Sequence, residues 1–242
     1  MESIIWTEGT ERIIDSLSNE PLIGEYVFVG GSALSYHIKH RLSEDIDLFE
    51  AEESLKRESI DVIMNNMIKK GYYIEDVGVP FSQTHRKFLV LGVKVEFVAH
   101  GKSFLSTENT LLKNNLRVAN LETIAGMKAY TITARKEIRD LYDNYILINK
   151  TFGLKFLIDK AKELYGGVFS EKAYLAALVA ADKVFKDEYI EKRLKPKEKI
   201  SKNEMCSFFK KKVEEYSQNL TSPDAFSQEL KKRMDKSKGP KR

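Results

Sequence analysis

Apolar residues recur along this chain with two periods, one near that of a helix and one of a strand. From Thr7 to Leu17, Ile13, Ile14 and Leu17 are spaced for one face of an opening helix. After a turn at Pro21 to Gly24, the run Tyr26 to Val29 is bulky and β-prone, and Gly30-Gly31 interrupt it. A Gly-Gly-Ser turn then leads into a short helix over Ala33 to His40. Asp45-Ile46-Asp47-Leu48-Phe49 alternates polar and apolar, so in a strand Asp45 and Asp47 share one face while Ile46 and Leu48 take the other. Ser54 to Lys70 returns to the helical period. Ile60, Ile63, Met64 and Met67 form its apolar stripe, and Gly71 is placed as its stop. Tyr72 to Val77 reads as a strand. Arg86 to Val98 reads as a hairpin turning near Leu91-Gly92, with Val93, Val95 and Phe97 on one face and Lys94, Glu96 and Val98 on the other.

Beyond this point the pattern is helical. Asn120 is a good N-cap for one long helix from Leu121 to about Leu147, packed through Leu121, Ile124, Ala125, Met127, Ile132, Leu141 and Tyr145. Phe152 to Tyr165, Glu171 to Lys186 and Met205 to Asn219 are further helices. Ser222-Pro223-Asp224 opens a last one, and disorder is expected from about Lys236. The expected fold class is therefore α+β: a small mixed β-sheet core flanked by helices, followed by a helical C-terminal region. The division expected is 1–119 for the core with the D-x-D strand and the hairpin, and 120–242 for the helical region.

Composition narrows the class. At 242 residues the chain is long enough to bury a core. It contains no apolar run of membrane-spanning length and no signal-peptide pattern, so a cytoplasmic protein without a membrane partner is expected. A single cysteine, Cys206, excludes an internal disulfide and a cysteine metal cluster, and the four histidines have no zinc-like spacing. The net charge of +4 is uneven. Residues 186–242 carry 17 Lys and Arg against 10 Asp and Glu, a surplus of seven, which leaves the rest of the chain with three net negative charges. Such a tail suits RNA, DNA or an acidic partner, or else forms a solvated helical surface.

The polar residues carry the chemistry. Two carboxylates as close as Asp45 and Asp47 repel unless a cation lies between them, and oxygen-only donors on a rigid strand suit Mg²⁺. A solvated strand edge is the alternative for a lone D-x-D. Gly31-Ser32 sits between strand and helix, where free backbone N–H groups attract phosphate. Glu96 is an acid within an apolar strand, costly if buried unpaired; its natural company is the Asp45/Asp47 cation, or else Lys94 or Arg86 at the surface. On a continuous helix, Lys128, Arg135 and Arg139 fall on one side, with Asp140 and Asp143 following.

The pattern G-S-x(12)-D-x-D, running from Gly31 to Asp47, resembles the signature of the nucleotidyltransferase superfamily with the DNA polymerase β-like fold. The fuller wording G-G-S-A-L…H-R-x-S-x-D-I-D-L-F is similar to the AbiEii family, the toxin half of type IV toxin–antitoxin systems. M-K-A-x(5)-R-x(3)-R-D-x-x-D resembles a second block of that family. The resemblance implies transfer of a nucleoside monophosphate from an NTP to an acceptor hydroxyl, with an RNA, namely a tRNA 3′ end, as acceptor and an antitoxin protein as partner. It implies that Asp45, Asp47 and Glu96 hold two Mg²⁺ ions. Gly31, Ser32 and Lys128 would bind the triphosphate and Asp140 would lie in the groove. Arg135 would reach the triphosphate or the acceptor, and Arg139, often Lys in the family, would keep a phosphate-binding charge. Arg41 would clamp a phosphate or orient Asp45. Asp is commoner than Glu at the third acid. Modification of a protein or small molecule, and a module that binds NTP without turning it over, are the other readings.

Overall fold

The computed structural model describes residues 5–135, 137–183, 196–198 and 200–221. Helix α1 (Glu8–Ser18) is capped by Thr7, whose side chain accepts from the Thr10 N–H, and it buries Ile13, Ile14 and Leu17. A 3₁₀ turn over Pro21–Glu25 leads to β1 (Val27–Val29), α2 (Gly30–Ile38) and β2 (Ile46–Glu50). Then follow α3 (Arg57–Lys69), β3 (Ile74–Asp76), β4 (His85–Val90) and β5 (Val93–Ala99). A single helical turn, α4 (Phe104–Thr107), precedes β6 (Asn109–Lys113) and β7 (Leu116–Ala119).

These strands form one seven-stranded sheet in the order β3-β4-β5-β2-β1-β7-β6. It is mixed: β2 runs parallel to β5 and β1 parallel to β7, while the remaining pairs are antiparallel. One face carries Ile46, Leu48, Val95 and Phe97, all fully buried in the same core as Ile60, Ile63 and Met67 of α3. The other face of the same strands carries Asp47 and Glu96, which are partners in the β2–β5 register.

The remaining helices are α5 (Leu121–Ala134), α6 (Ile138–Ile146), α7 (Leu154–Tyr165), α8 (Glu171–Val179) and α9 (Lys202–Thr221). The α5–α7 contact is close: a Cβ on Gly126 would lie 2.8 Å from Leu164 Cδ1. Core residues of the sheet and of α5 to α9 belong to one buried cluster. Among the described residues no helix is long and apolar enough to cross a membrane.

The structure departs from the sequence reading at four places. The Gly-Gly-Ser stretch is the first turn of α2, not a separate turn before it, and the helix stops at Lys39 in the left-handed conformation (φ 53°). The helix expected over 121–147 is two helices, because Arg135 is extended (φ −136°, ψ 149°). The run Thr131-Ile132-Thr133 is β-branched, and both threonine hydroxyls bond back to carbonyls within the last turns, which weakens the helix there. The β6–β7 hairpin was not expected; its turn places Asn114 at φ 47°. The helix expected to run to Lys186 gives way after Val179 to a 3₁₀ turn. The expected last helix and tail lie outside the described residues.

Candidate active site

Most of the residues singled out above converge on one cleft, lined by Gly31, Arg41, Ser43, Asp45, Asp47, Lys94, Glu96, Lys128, Arg135, Glu137, Arg139 and Asp140. It is small, about 90 Å³. Five acids and five bases face it, so it is electrically balanced as it stands.

Register explains the acid set. Val29, the last residue of β1, pairs with Asp47, and Asp47 pairs with Glu96 across the parallel β2–β5 ladder. Gly30 then follows β1 at φ 77°, and a Cβ there would lie 2.0 Å from Asp47 Oδ2. Gly30 is thus required twice, by its backbone and by the carboxylate beside it. Burial pushes the Asp47 carboxyl up to about 6; Lys94 opposes this, and Glu96 and Asp45 add to it.

Lys94 lies on the acid face of β5, two residues before Glu96. Its Nζ is 3.3 Å from Asp45 Oδ2 and 3.4 Å from Glu96 Oε2. Arg139 Nη1 also reaches Asp45 Oδ2, at 3.4 Å. Glu96 has His85 and Lys87 of β4 at 3.7 and 3.6 Å. Arg86, the other partner considered for Glu96, is instead paired with Asp61 and Asp76.

Ser32 does not face the cleft. It is buried, donates to the Asp45 carbonyl and shares a 2.8 Å hydrogen bond with Ser43 Oγ, so its hydroxyl fixes the approach to β2. Its backbone N–H remains in the first turn of α2, where helical N–H groups lack internal partners. Gly31 is tight for a different reason: a Cβ there would lie 2.2 Å from Arg41 Nη2.

Arg41 itself is 2% exposed and grips Asp143, Nε to Oδ1 at 2.7 Å and Nη2 to Oδ2 at 3.1 Å. Lys128 Nζ is 2.7 Å from Asp143 Oδ2 and 3.1 Å from Asp140 Oδ1. His40 Nε2 meets Asp143 Oδ1 at 2.7 Å. Burial alone would raise the Asp143 carboxyl, but Arg41, Lys128 and His40 outweigh it and hold it well below the usual carboxylate range. Arg135, at the break between α5 and α6, turns its Nε to Asp140 at 3.0 Å. The break is what lets α6 carry Asp140 and Asp143 beneath Lys128, an arrangement a straight helix would not give. The cations therefore form two tiers. Arg41 and Lys128 are buried and committed to aspartates, whereas Arg135 and Arg139 keep much of their side chains in solvent.

Sequence reasoning treated Lys94 only as an alternative partner for Glu96 and gave Asp143 no role. The period-2 spacing of Lys94 and Glu96 was the available signal for the first. The three-residue spacing of Asp140 and Asp143, one face of α6, was the signal for the second.

The donor set fits a hard divalent cation. Asp45, Asp47 and Glu96 offer oxygen atoms only, and Asp45 and Glu96 already share a positive charge, the Lys94 ammonium. Among the described residues no three His, Cys, Asp or Glu side chains form a ready-made metal cage. Mg²⁺ needs none, since it takes one or two carboxylates and completes its shell with water and phosphate.

Comparison with known proteins gives one family, one relative and two solved structures. The family described as nucleotidyl transferase AbiEii toxin, type IV TA system, matches residues 12–228. An uncharacterised protein of Aquifex aeolicus is 29% identical over 226 residues, covering 88% of this chain and 96% of its own. Two solved structures share the fold. MenT4, a nucleotidyltransferase toxin of Mycobacterium tuberculosis, has a TM-score of 0.55 at 14% identity, covering 83% of this chain and 80% of its own. A candidate nucleotidyltransferase of H. pylori has a TM-score of 0.52 at 13% identity, covering 87% and 94%.

Proposed function

The chain belongs to the AbiEii family of nucleotidyltransferase toxins, and from that premise we propose that it transfers a nucleoside monophosphate from an NTP to a hydroxyl of RNA, at a tRNA 3′ end. The observation that carries this reading is the Asp47–Glu96 pairing across β2 and β5, with Asp45 and the first turn of α2 on the same cleft.

In the proposed reaction the acceptor hydroxyl oxygen attacks the α-phosphorus, the bond to the α–β bridging oxygen breaks, and pyrophosphate leaves. Asp45, Asp47 and Glu96 would hold two Mg²⁺ ions, which supply Lewis-acid stabilisation of the attacking and leaving oxygens. The Gly31 and Ser32 backbone N–H groups receive phosphate oxygens at the start of α2. Arg135 and Arg139, the solvent-facing cations, meet the triphosphate and neutralise the charge that develops on pyrophosphate. Lys128 and Arg41 act one layer down. By holding Asp140 and Asp143 they fix the α5–α6 junction that presents Arg135 and Arg139. Glu96 takes the proton from the acceptor hydroxyl.

At about 90 Å³ the cleft admits an NTP only when the partly exposed Lys94, Arg135 and Arg139 side chains move outward, the two arginines then closing on the triphosphate. Basic residues of 186–242 support an RNA acceptor. An NTP and a tRNA as substrates support action in the cytoplasm, and the family supports an antitoxin partner. The test is incubation of the full chain with each α-labelled NTP, Mg²⁺ and separate pools of RNA, protein and metabolites. Label is expected in RNA, and Asp45→Asn or Asp47→Asn abolishes it while leaving the fold intact. Label confined to the protein or metabolite pool, or full activity of either variant, would overturn the reading.

A further inference from the structure

The proposed reaction asks of Lys94 only that it move aside, yet its ammonium bridges two acids of the cluster. Its position is set by the strand register: Ile46 pairs with Val95, so the preceding residues, Asp45 and Lys94, stand level at the start of β2 and β5. Glu96 lies one pleat further along the same face. The ammonium therefore bridges Asp45 Oδ2 and Glu96 Oε2 at 3.3 and 3.4 Å.

We propose that Lys94 is the resident counter-ion of this cluster, holding Asp45 and Glu96 in place until a divalent cation arrives and having to leave for that cation to bind. The proposal rests on the reading of Asp45, Asp47 and Glu96 as metal ligands. An ammonium and a divalent cation on the same two oxygens repel strongly, so the two compete. Without Lys94, no cation would bridge the acids: Arg139, at 3.4 Å, would be left to Asp45 alone, and Lys87, at 3.6 Å, to Glu96 alone. The side chain is partly exposed and has a flexible stem, so it can swing out. An incoming triphosphate gives it an anion to move to, which links cation loading to nucleotide arrival.

The test is titration of the nucleotide-free full chain with Mn²⁺, followed by electron paramagnetic resonance, for wild type, Lys94→Met, Lys94→Arg and Asp47→Asn. Lys94→Met should bind Mn²⁺ about tenfold more tightly than wild type, equivalent to about 1.4 kcal/mol. Lys94→Arg, which keeps the charge, should stay close to wild type. Lys94→Met should also melt lower than wild type in chelator and recover with saturating Mn²⁺, because the ion replaces the lost charge. Equal or weaker Mn²⁺ binding by Lys94→Met, or a variant that stays unfolded in Mn²⁺, overturns the proposal. The metal reading is judged separately: it stands if Asp47→Asn removes Mn²⁺ binding from wild type. It falls, and the proposal with it, if neither wild type nor Lys94→Met binds Mn²⁺.

Discussion

Asp143→Asn removes one charge and almost no volume, so it isolates the buried network beneath the cleft. Asp143 is 0% exposed and faces Arg41, Lys128 and His40 at 2.7 Å each. With an amide there, the Arg41 guanidinium and the Lys128 ammonium keep their charges, Arg41 loses its ion-paired carboxylate, and Lys128 keeps Asp140 at 3.1 Å. One amide hydrogen must also point at a cation. Removing one partner of a buried ion pair costs about 3–5 kcal/mol. A chain of this size loses roughly 2–4 °C of Tm per kcal/mol, so the expected drop is roughly 6–20 °C. The assay is urea unfolding at neutral pH and again in acid. The Asp143 carboxyl is held below its ordinary value in the folded chain. Its contribution is therefore present above the unfolded value near 4 and is lost as pH falls through the folded value. The difference between wild type and variant should be widest at neutral pH and narrow below about 4. A loss under about 1 kcal/mol, the worth of an exposed pair, would refute the network as a structural element.

Two further outcomes are expected. Gly30→Ala forces a Cβ to within 2.0 Å of Asp47 Oδ2 at φ 77°. It should lose about 1–3 kcal/mol of stability and most of the transfer activity; unchanged activity would remove the demand that the Asp47 carboxylate places on this glycine. Burial holds His40 below its ordinary value, with Asp143 opposing, and burial with Lys102 lowers His100 to about 4. The unfolded chain then takes up protons near pH 6.5 that the folded chain refuses. Stability should be full above that pH and decline as pH falls toward about 4. The same acid slope in a His40→Gln/His100→Gln variant would contradict this.

The strand periods were legible because side-chain alternation is a local property. Asp45 with Asp47, and Lys94 with Glu96, fall on the faces expected of them. That β5 lies parallel beside β2, and so sets Glu96 against Asp47, is a tertiary fact that no local pattern carries. The break after α5 was hidden for a related reason. Leu121 to Leu147 has apolar residues enough for one helix, but Lys128 meets Asp140 and Asp143 only if the chain turns at Arg135. The β6–β7 hairpin was missed because the adjacent Leu111 and Leu112 blur its alternation, and Leu111 is largely exposed. Gly30 was legible as a breaker, while the space it leaves for Asp47 was not. Ser32 stands in the first turn of α2, and its hydroxyl is turned inward to the Asp45 carbonyl, which no local pattern shows.

The reaction proposed for the cleft moves a nucleotidyl group, not a phosphoryl group. Parallel reactions with tRNA, Mg²⁺ and an NTP labelled at either the α- or the γ-phosphate test it directly. α-Label should be joined to the tRNA 3′ end and γ-label released as pyrophosphate, with both signals absent in Asp47→Asn. Label from the γ position in the tRNA, or turnover that survives Asp47→Asn, would contradict it.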